Sequence, residues 1–385
     1  MLNIVADANI PFVTEVFSTL GSVTTLAGRG ISADSVSDAD VLLVRSVTPV
    51  NEALLSGSRV RFVGTATIGV DHIDLDYLTR QDIGFTNAPG SNAISAAEYV
   101  ISALLICAEQ RGFALRDKTV AIVGVGNVGG RVLQRLQALG VKCLCYDPPR
   151  QQALADRDYV EWEAVLAADI ITAHVPLTRS GDYPTLRMFN APFFRALKPG
   201  AVFINTARGA AVDEPALRQC LADGQALYLI LDVWQGEPNI DLNLLAQTDL
   251  GTPHIAGYSF DGKVRGTEMI YRALCDYLGT APQWSSESVL SRPDASLIEI
   301  DANLPLQQCL YQAVTRAYDV RNDDSDLRRS AALPQSERGA YFDKLRKDYP
   351  RRREFSQYTV HLNQASVGHS ALVEALKGLG FQLSP

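Results

Sequence analysis

The chain has no CxxC pair and no zinc-type cysteine pattern. It also has no apolar run long enough to read as a membrane span. Six cysteines stand at 107, 143, 145, 220, 275 and 309, mostly in apolar segments. Buried free thiols in a reducing compartment are expected, and no metal site. The densest apolar stretch, YVISALLICA at 99–108, is well short of the roughly 20 residues a spanning helix needs, so no membrane partner is expected. Basic charge is in deficit: 35 Lys and Arg stand against 43 Asp and Glu, for a net charge of −8. Nucleic acid and anionic lipid want a basic face, so neither is an expected partner. A small anionic substrate is not excluded, because a few local arginines can outweigh the global sign. The opening MLNIVADANI lacks a basic leader and a long apolar core, so a cytoplasmic location is expected. No internal repeat is evident, and no low-complexity tract is longer than RRR at 351–353. That RRR reads as a solvated face, with the alternative that one of its arginines reaches a partner subunit's site.

What is present is a β/α alternation. NIVAD (3–7), VLLVRS (41–46), RFVGTA (61–66) and GFTNAP (84–89) read as short strands, with a helix over 11–21. A second series starts at TVAIVGVG (119–126) and runs through KCLCYD, DIITAHVP, AVFINTA and LYLILDVW to TPHIAG (252–257). Such alternation predicts parallel sheets. Between the two series lies a helix over 92–111, apolar almost all round, the pattern of a buried helix at a domain junction. A helix over 257–279 could return the chain to the first domain. SSESVLSRPDAS (285–296) reads as a linker to a C-terminal segment. The predicted fold is α/β, with two doubly wound parallel-sheet domains and a small C-terminal α+β domain. A Rossmann-type dinucleotide domain (92–255) is inserted in a flavodoxin-like substrate domain (1–91 and 256–284), and 285–385 follows.

Gly124-Val-Gly126-Asn-Val-Gly129 follows an apolar strand and opens an amphipathic helix, the context a dinucleotide fingerprint requires. Gly124 permits the turn, Gly126 lets backbone N–H groups approach a pyrophosphate, and Gly129 lets helix and sheet pack closely. Asn127 and Val128 sit at the helix N-terminus, where anions are favoured. The second strand ends in Asp147, placed to accept ribose hydroxyls and repel a 2′-phosphate. NAD is therefore the expected cofactor, although nearby Arg150 tempers the choice over NADP.

Three charged or titratable residues follow later strand ends, where ligands gather in open parallel sheets. Arg208 follows AVFIN, Glu237 lies in WQGEP, and His254, one of five histidines, ends DLGTPH. Arg208 can grip a carboxylate through two parallel hydrogen bonds. His254 can take a hydroxyl proton as hydride leaves the same carbon. Glu237 can hold the imidazole and stabilise its charged form. Together they describe a 2-hydroxy acid oxidation site.

GVGNVG, HVPLT (174–178), NTARGAAVDE, LDVWQGEP and TPHIAGY resemble the D-isomer-specific 2-hydroxyacid dehydrogenase family. The resemblance implies catalytic roles for Arg208, Glu237 and His254, and a discontinuous first domain. It also implies cofactor contacts at Thr206, Ala207, Arg208, Asp147, Asp232 and Gly257. At 175 the family often has a Thr that contacts cofactor; this chain has Val175, where backbone or apolar packing must serve. VRSVTPVNEALL, GTATIGVDHID, APGSNAISAAEYV, GDYPTL and PHIAGYSFDGKVRGT resemble one branch of the family, whose members act on a phosphorylated hydroxy acid. The resemblance to that branch implies substrate contacts at Ser46, Thr67 and Tyr258, and a homodimer formed through the C-terminal extension. Two alternatives stay open: another hydroxy acid of the same class, such as 3-phosphoglycerate, or an NAD-sensing corepressor with little catalysis. Arg45, beside Ser46, is a candidate for the distal phosphate or for a structural ion pair.

Overall fold

The computed structural model describes residues 1–154, 156–290, 296–363 and 369–384. Within the chain two compact units form. One comprises Met1–Asn92 with Ser259–Ser291, and the other Ala93–Tyr258 with Arg292–Pro385.

The first unit holds strands β1 (Leu2–Asp7), β2 (Gly21–Leu26), β3 (Val41–Val44), β4 (Phe62–Thr65) and β5 (Gly84–Thr86). All pair in parallel, in the order β2-β1-β3-β4-β5, the flavodoxin-like order expected. β3 and β4 are buried along their whole length, because helices cover both faces of such a sheet. Helix Phe260–Leu278 returns the chain to this unit and buries Ile270, Tyr271 and Leu274 in its core. Two expected elements are shorter than the sequence suggested. β3 stops at Val44, leaving Arg45 and Ser46 in the turn beyond it, and the first helix covers Val13–Phe17 only.

The second unit is built on β6 (Thr119–Val123), β7 (Lys142–Tyr146), β8 (Ile170–Ala173), β9 (Ala201–Asn205), β10 (Leu227–Leu231) and β11 (Leu250–Gly251). These are also parallel, in the order β7-β6-β8-β9-β10-β11. A Rossmann sheet usually carries one more strand outside β7. Here that position is taken by the segment around Val160, whose N–H donates to the Cys145 carbonyl at 2.9 Å without a strand forming. The chain reverses direction across the sheet between β6 and β8, so the crevice at their C-terminal ends is the expected ligand site.

Helix Ala93–Arg111 is buried from Ser95 to Ala108. It is long and apolar enough to cross a membrane, yet it is a core helix of this unit. Its cover comes from helices Asn127–Ala138 and Leu306–Ala317. The C-terminal segment adds β12 (Leu297–Asp301), β13 (Thr359–Asn363) and β14 (Gln382–Leu383), a small parallel sheet in that order. It also adds helices Val320–Arg328, Gln335–Lys347 and Ser370–Leu379. The last of these lies so close to helix Asn127–Ala138 that a Cβ on Gly378 would overlap Ala138. The linker expected over 285–296 lies outside the described residues at 291–295. Among the described residues all six cysteines are free, five of them buried, and no cluster suited to a metal ion occurs.

Candidate active site

The glycine loop joins β6 to helix Asn127–Ala138. Gly124 has φ +86°, and a Cβ there would come within 2.9 Å of the His174 backbone. A Cβ on Gly129 would overlap the Gly124 carbonyl. These two glycines are required by the protein itself. Gly126 is different: a Cβ there would meet nothing within 4 Å. Its missing side chain leaves open space in front of a helix N-terminus, which suits an approaching phosphate. Beside the loop lies a cavity of about 670 Å³, lined by Gly124, Asp147, Trp162, Val175, Thr178 and Tyr183 among others. Asp147 is oriented by the Val125 N–H on Oδ2 (2.8 Å) and the Arg150 N–H on Oδ1 (3.1 Å). A carboxylate has lone pairs left over for two ribose hydroxyls. The Arg150 guanidinium is bonded to Asp156 at 2.8 Å, so its charge is already answered. Val175 is 9% exposed and offers the cavity an apolar wall. These features fit a dinucleotide.

Arg208 stands after β9. Asn205, fully buried, holds its turn: Oδ1 accepts the Ala207 N–H (3.0 Å) and Nδ2 donates to the Arg208 carbonyl (3.1 Å). Arg208 itself is half-buried and donates from Nη1 to the Ala207 carbonyl at 2.8 Å. A Cβ on Gly209 would overlap the Trp234 backbone, so only glycine lets this turn press against the loop after β10. Thr206 shares a hydrogen bond with His174 Nδ1, and Thr172 one with Nε2, both at 2.9 Å. Burial pushes the His174 ring down to about 3, so it stays neutral and works as a spacer between two hydroxyls. Sequence reasoning passed over His174, although it follows a strand end as His254 does. Only burial tells the two apart.

The loops after β10 and β11 are tied by Asp232. Its side chain is 2% exposed. Oδ1 accepts from Thr252 Oγ1 and the Ile255 N–H, both at 2.7 Å, and Oδ2 from the Ala256 N–H at 3.0 Å. The Asp232 carbonyl accepts the His254 N–H at 2.7 Å. His254 is held at φ +56°, a left-handed conformation uncommon outside glycine and often found at functional sites. Its Nδ1 meets Glu237 Oε2 at 2.8 Å. Glu237 Oε1 accepts the Trp234 N–H at 2.8 Å. Burial raises the Glu237 carboxyl, but His254, the Trp234 N–H and the Arg346 charge together bring it below the usual range, so Glu237 stays ionised. Glu214 braces the same loop by accepting the Gln235 N–H at 2.6 Å. The three strand-end residues thus belong to one set of interlocked loops, with a hydrogen-bonded acid–imidazole pair at its centre.

Tyr258 stands at the end of the last loop, edge-on to Tyr349 at 5.7 Å and with the Arg346 guanidinium 5.8 Å from its ring. Ser46 and Thr67 belong to the first unit. Ser46 is exposed after β3. The Thr67 hydroxyl donates to the Gly69 carbonyl at 3.0 Å and pairs with Thr65 at 2.7 Å. One expectation is corrected in large part: of the RRR cluster Arg351 is exposed, but its two neighbours are not a solvated face. Arg352 and Arg353 are 7% and 3% exposed. Arg352 donates to the Ala256 carbonyl (3.1 Å) and the Ser95 carbonyl (2.6 Å), with Glu98 at 3.9 Å. It braces the His254 loop from behind, and the double replacement of Arg352 and Arg353 by Ala would remove that brace. The sequence carries no periodicity around 351–353 that could have marked it as buried.

Residues 105–256 match the D-isomer specific 2-hydroxyacid dehydrogenase NAD binding domain, and residues 289–380 match a domain of unknown function. An erythronate-4-phosphate dehydrogenase of Shigella boydii is 47% identical over 366 residues, 95% of each chain. Among solved structures, D-lactate dehydrogenase from Aquifex aeolicus complexed with NAD and lactic acid is 26% identical, with TM-score 0.59, over 72% of this chain and 95% of that one. The NAD-dependent formate dehydrogenase from Staphylococcus aureus in complex with NAD is 25% identical, with TM-score 0.60, over 74% of this chain and 98% of that one.

Proposed function

Because the chain belongs to the D-isomer-specific 2-hydroxyacid dehydrogenase family, in the branch of the erythronate-4-phosphate dehydrogenases, we propose that it oxidises 4-phospho-D-erythronate at C2 to the 2-oxo acid, on the route to pyridoxal 5′-phosphate. It is an NAD-dependent enzyme, which removes the corepressor alternative. The observation that carries the mechanism is the 2.8 Å contact between Glu237 and His254 Nδ1.

The glycine loop, the N–H groups of Asn127 and Val128 and the Asp147 carboxylate would hold NAD. Val175, Thr206, Ala207, Asp232 and Gly257 would complete the cofactor site. NAD, when bound, supplies the hydride acceptor. The chain's own residues do the rest. Arg208 fixes the substrate carboxylate with its planar fork. With its Nδ1 proton held by Glu237, His254 presents the Nε2 lone pair to the C2 hydroxyl and takes its proton. The ionised Glu237 stabilises the imidazolium that results. In reverse, the same imidazolium is the acid. Ser46, Thr67 and Tyr258 are proposed substrate contacts. The enzyme is proposed to work in the cytoplasm as a homodimer formed through its C-terminal segment. Substrate deuterated at C2 tests the reaction. Deuterium should appear in the reduced cofactor together with the 2-oxo acid; cofactor reduced without label would contradict hydride transfer from C2.

A further inference from the structure

A 4-phospho 2-hydroxy acid carries two anionic ends, and the Arg208–Glu237–His254 set answers only the carboxylate. One further cation whose charge reaches this set comes from the C-terminal segment. Helix Gln335–Lys347 packs against the turn that follows Glu237: a Cβ on Gly339 would lie 2.6 Å from Asn239 Oδ1. At the end of this helix Lys344 and Lys347 are exposed, whereas Arg346 is half-buried. Its guanidinium hydrogen-bonds Tyr258 and feels the Glu237 charge. Tyr258 is fixed on its other side by Tyr349, whose hydroxyl donates to Asp323 at 2.9 Å.

The charge balance of Arg346 sets it apart. Five arginines have a buried Nε–H that meets no acceptor among the described residues: Arg135, Arg150, Arg218, Arg346 and Arg352. Arg150 and Arg218 each have a carboxylate in ion-pair contact, Asp156 (2.8 Å) and Asp241 (3.0 Å), while Arg135 and Arg352 share the single Glu98 carboxyl at 3.8 and 3.9 Å, which burial pushes up to about 8. Among the described residues Arg346 makes no such pair. Arg346 already touches Tyr258 and feels the Glu237 and Asp343 charges, but among the described residues its Nε–H meets no acceptor and no carboxylate is in ion-pair contact, so the position favours a ligand that brings a contact counter-ion and a further acceptor. A phosphate dianion does so, and the planar fork suits it.

We propose that Arg346, with Tyr258 beside it, forms the subsite for the substrate's phosphate group. This inference rests on the substrate reading given above. The C-terminal segment then supplies part of the substrate specificity within its own chain.

The test measures kcat/KM for 4-phosphoerythronate and for unphosphorylated erythronate with the wild-type enzyme, Arg346→Met and Arg346→Lys. NAD affinity serves as the check of folding. In Arg346→Met the phosphorylated acid should lose roughly 10- to 100-fold, the worth of a charge-assisted hydrogen bond. Erythronate should lose clearly less than the phosphorylated acid, NAD affinity should stay within about threefold, and Lys should fall between. An equal loss on both acids would overturn the proposal and make Arg346 a positioning residue for Glu237 and Tyr258. No loss on either would overturn it as well. If the Met variant fails to bind NAD, the ratio in the Lys variant decides. A wild-type enzyme indifferent to the phosphate would sink the substrate reading and the subsite together. A wild-type preference left intact in both variants would sink the subsite alone.

Discussion

The jobs proposed for His254 and Arg208 are separable, and replacing each should leave a different kinetic trace. His254→Gln would remove the proposed proton acceptor but not the proposed cofactor site. Its kcat should fall roughly 10²- to 10⁴-fold with NAD affinity unchanged, as read by fluorescence titration and steady-state rates. Arg208→Lys keeps the charge but loses the two-pronged grip, so KM for the hydroxy acid should rise and kcat fall together. Glu237 acts through its partner. Its carboxyl lies below the usual range, so it is an anion across the working pH range and favours the protonated imidazole. In Glu237→Gln that favour is gone. The imidazolium formed on proton transfer then lacks its counter-charge, so kcat should fall; an unchanged kcat would count against the pairing. The sequence singles out these three candidates because each follows an apolar strand, and strand ends are where ligands bind. Asp232 was expected, by resemblance, only as a cofactor contact, and its hold on the Thr252–Ala256 loop shows only in three dimensions.

The glycine loop was the most legible element, since turn, pyrophosphate and packing each demand a glycine at fixed spacing. The structure divides those demands. Gly129→Ala forces a Cβ into the Gly124 carbonyl and should cost about 1–3 kcal/mol of stability, as overpacking does. Gly126→Ala meets nothing in the protein, so its melting temperature without cofactor should be close to wild type while NAD affinity falls. The long helix Ala93–Arg111 was legible as buried, but not what buries it. Its Glu98 accepts the Phe355 N–H at 2.9 Å. Burial and nearby Glu354 push the Glu98 carboxyl up to about 8, against the pull of Arg135 and Arg352. A raised carboxyl holds its proton in the folded state after the unfolded chain has released it. Between the ordinary value of 4.5 and about 8, rising pH therefore erodes stability. Urea midpoints at pH 5 and pH 8 should show this decline in the wild type and a smaller one in Glu98→Gln.

At the scale of the molecule, the alternation of buried strands and amphipathic helices was enough to fix two parallel sheets. The sequence was least informative where contacts are distant along the chain. Arg352 meets Ser95, Arg346 meets Tyr258, and Gly378 meets Ala138; none of these pairings leaves a local pattern. All three bring the C-terminal segment into the unit that carries the candidate trio. That segment is therefore expected to shape the chemistry as well as any assembly. The most direct measurement of the account is the initial rate of NADH formation with 4-phosphoerythronate, erythronate and 3-phosphoglycerate side by side. A strong preference for the first is expected. Equal use of erythronate would contradict a phosphate site, and preference for 3-phosphoglycerate or silence with all three would contradict the proposed reaction.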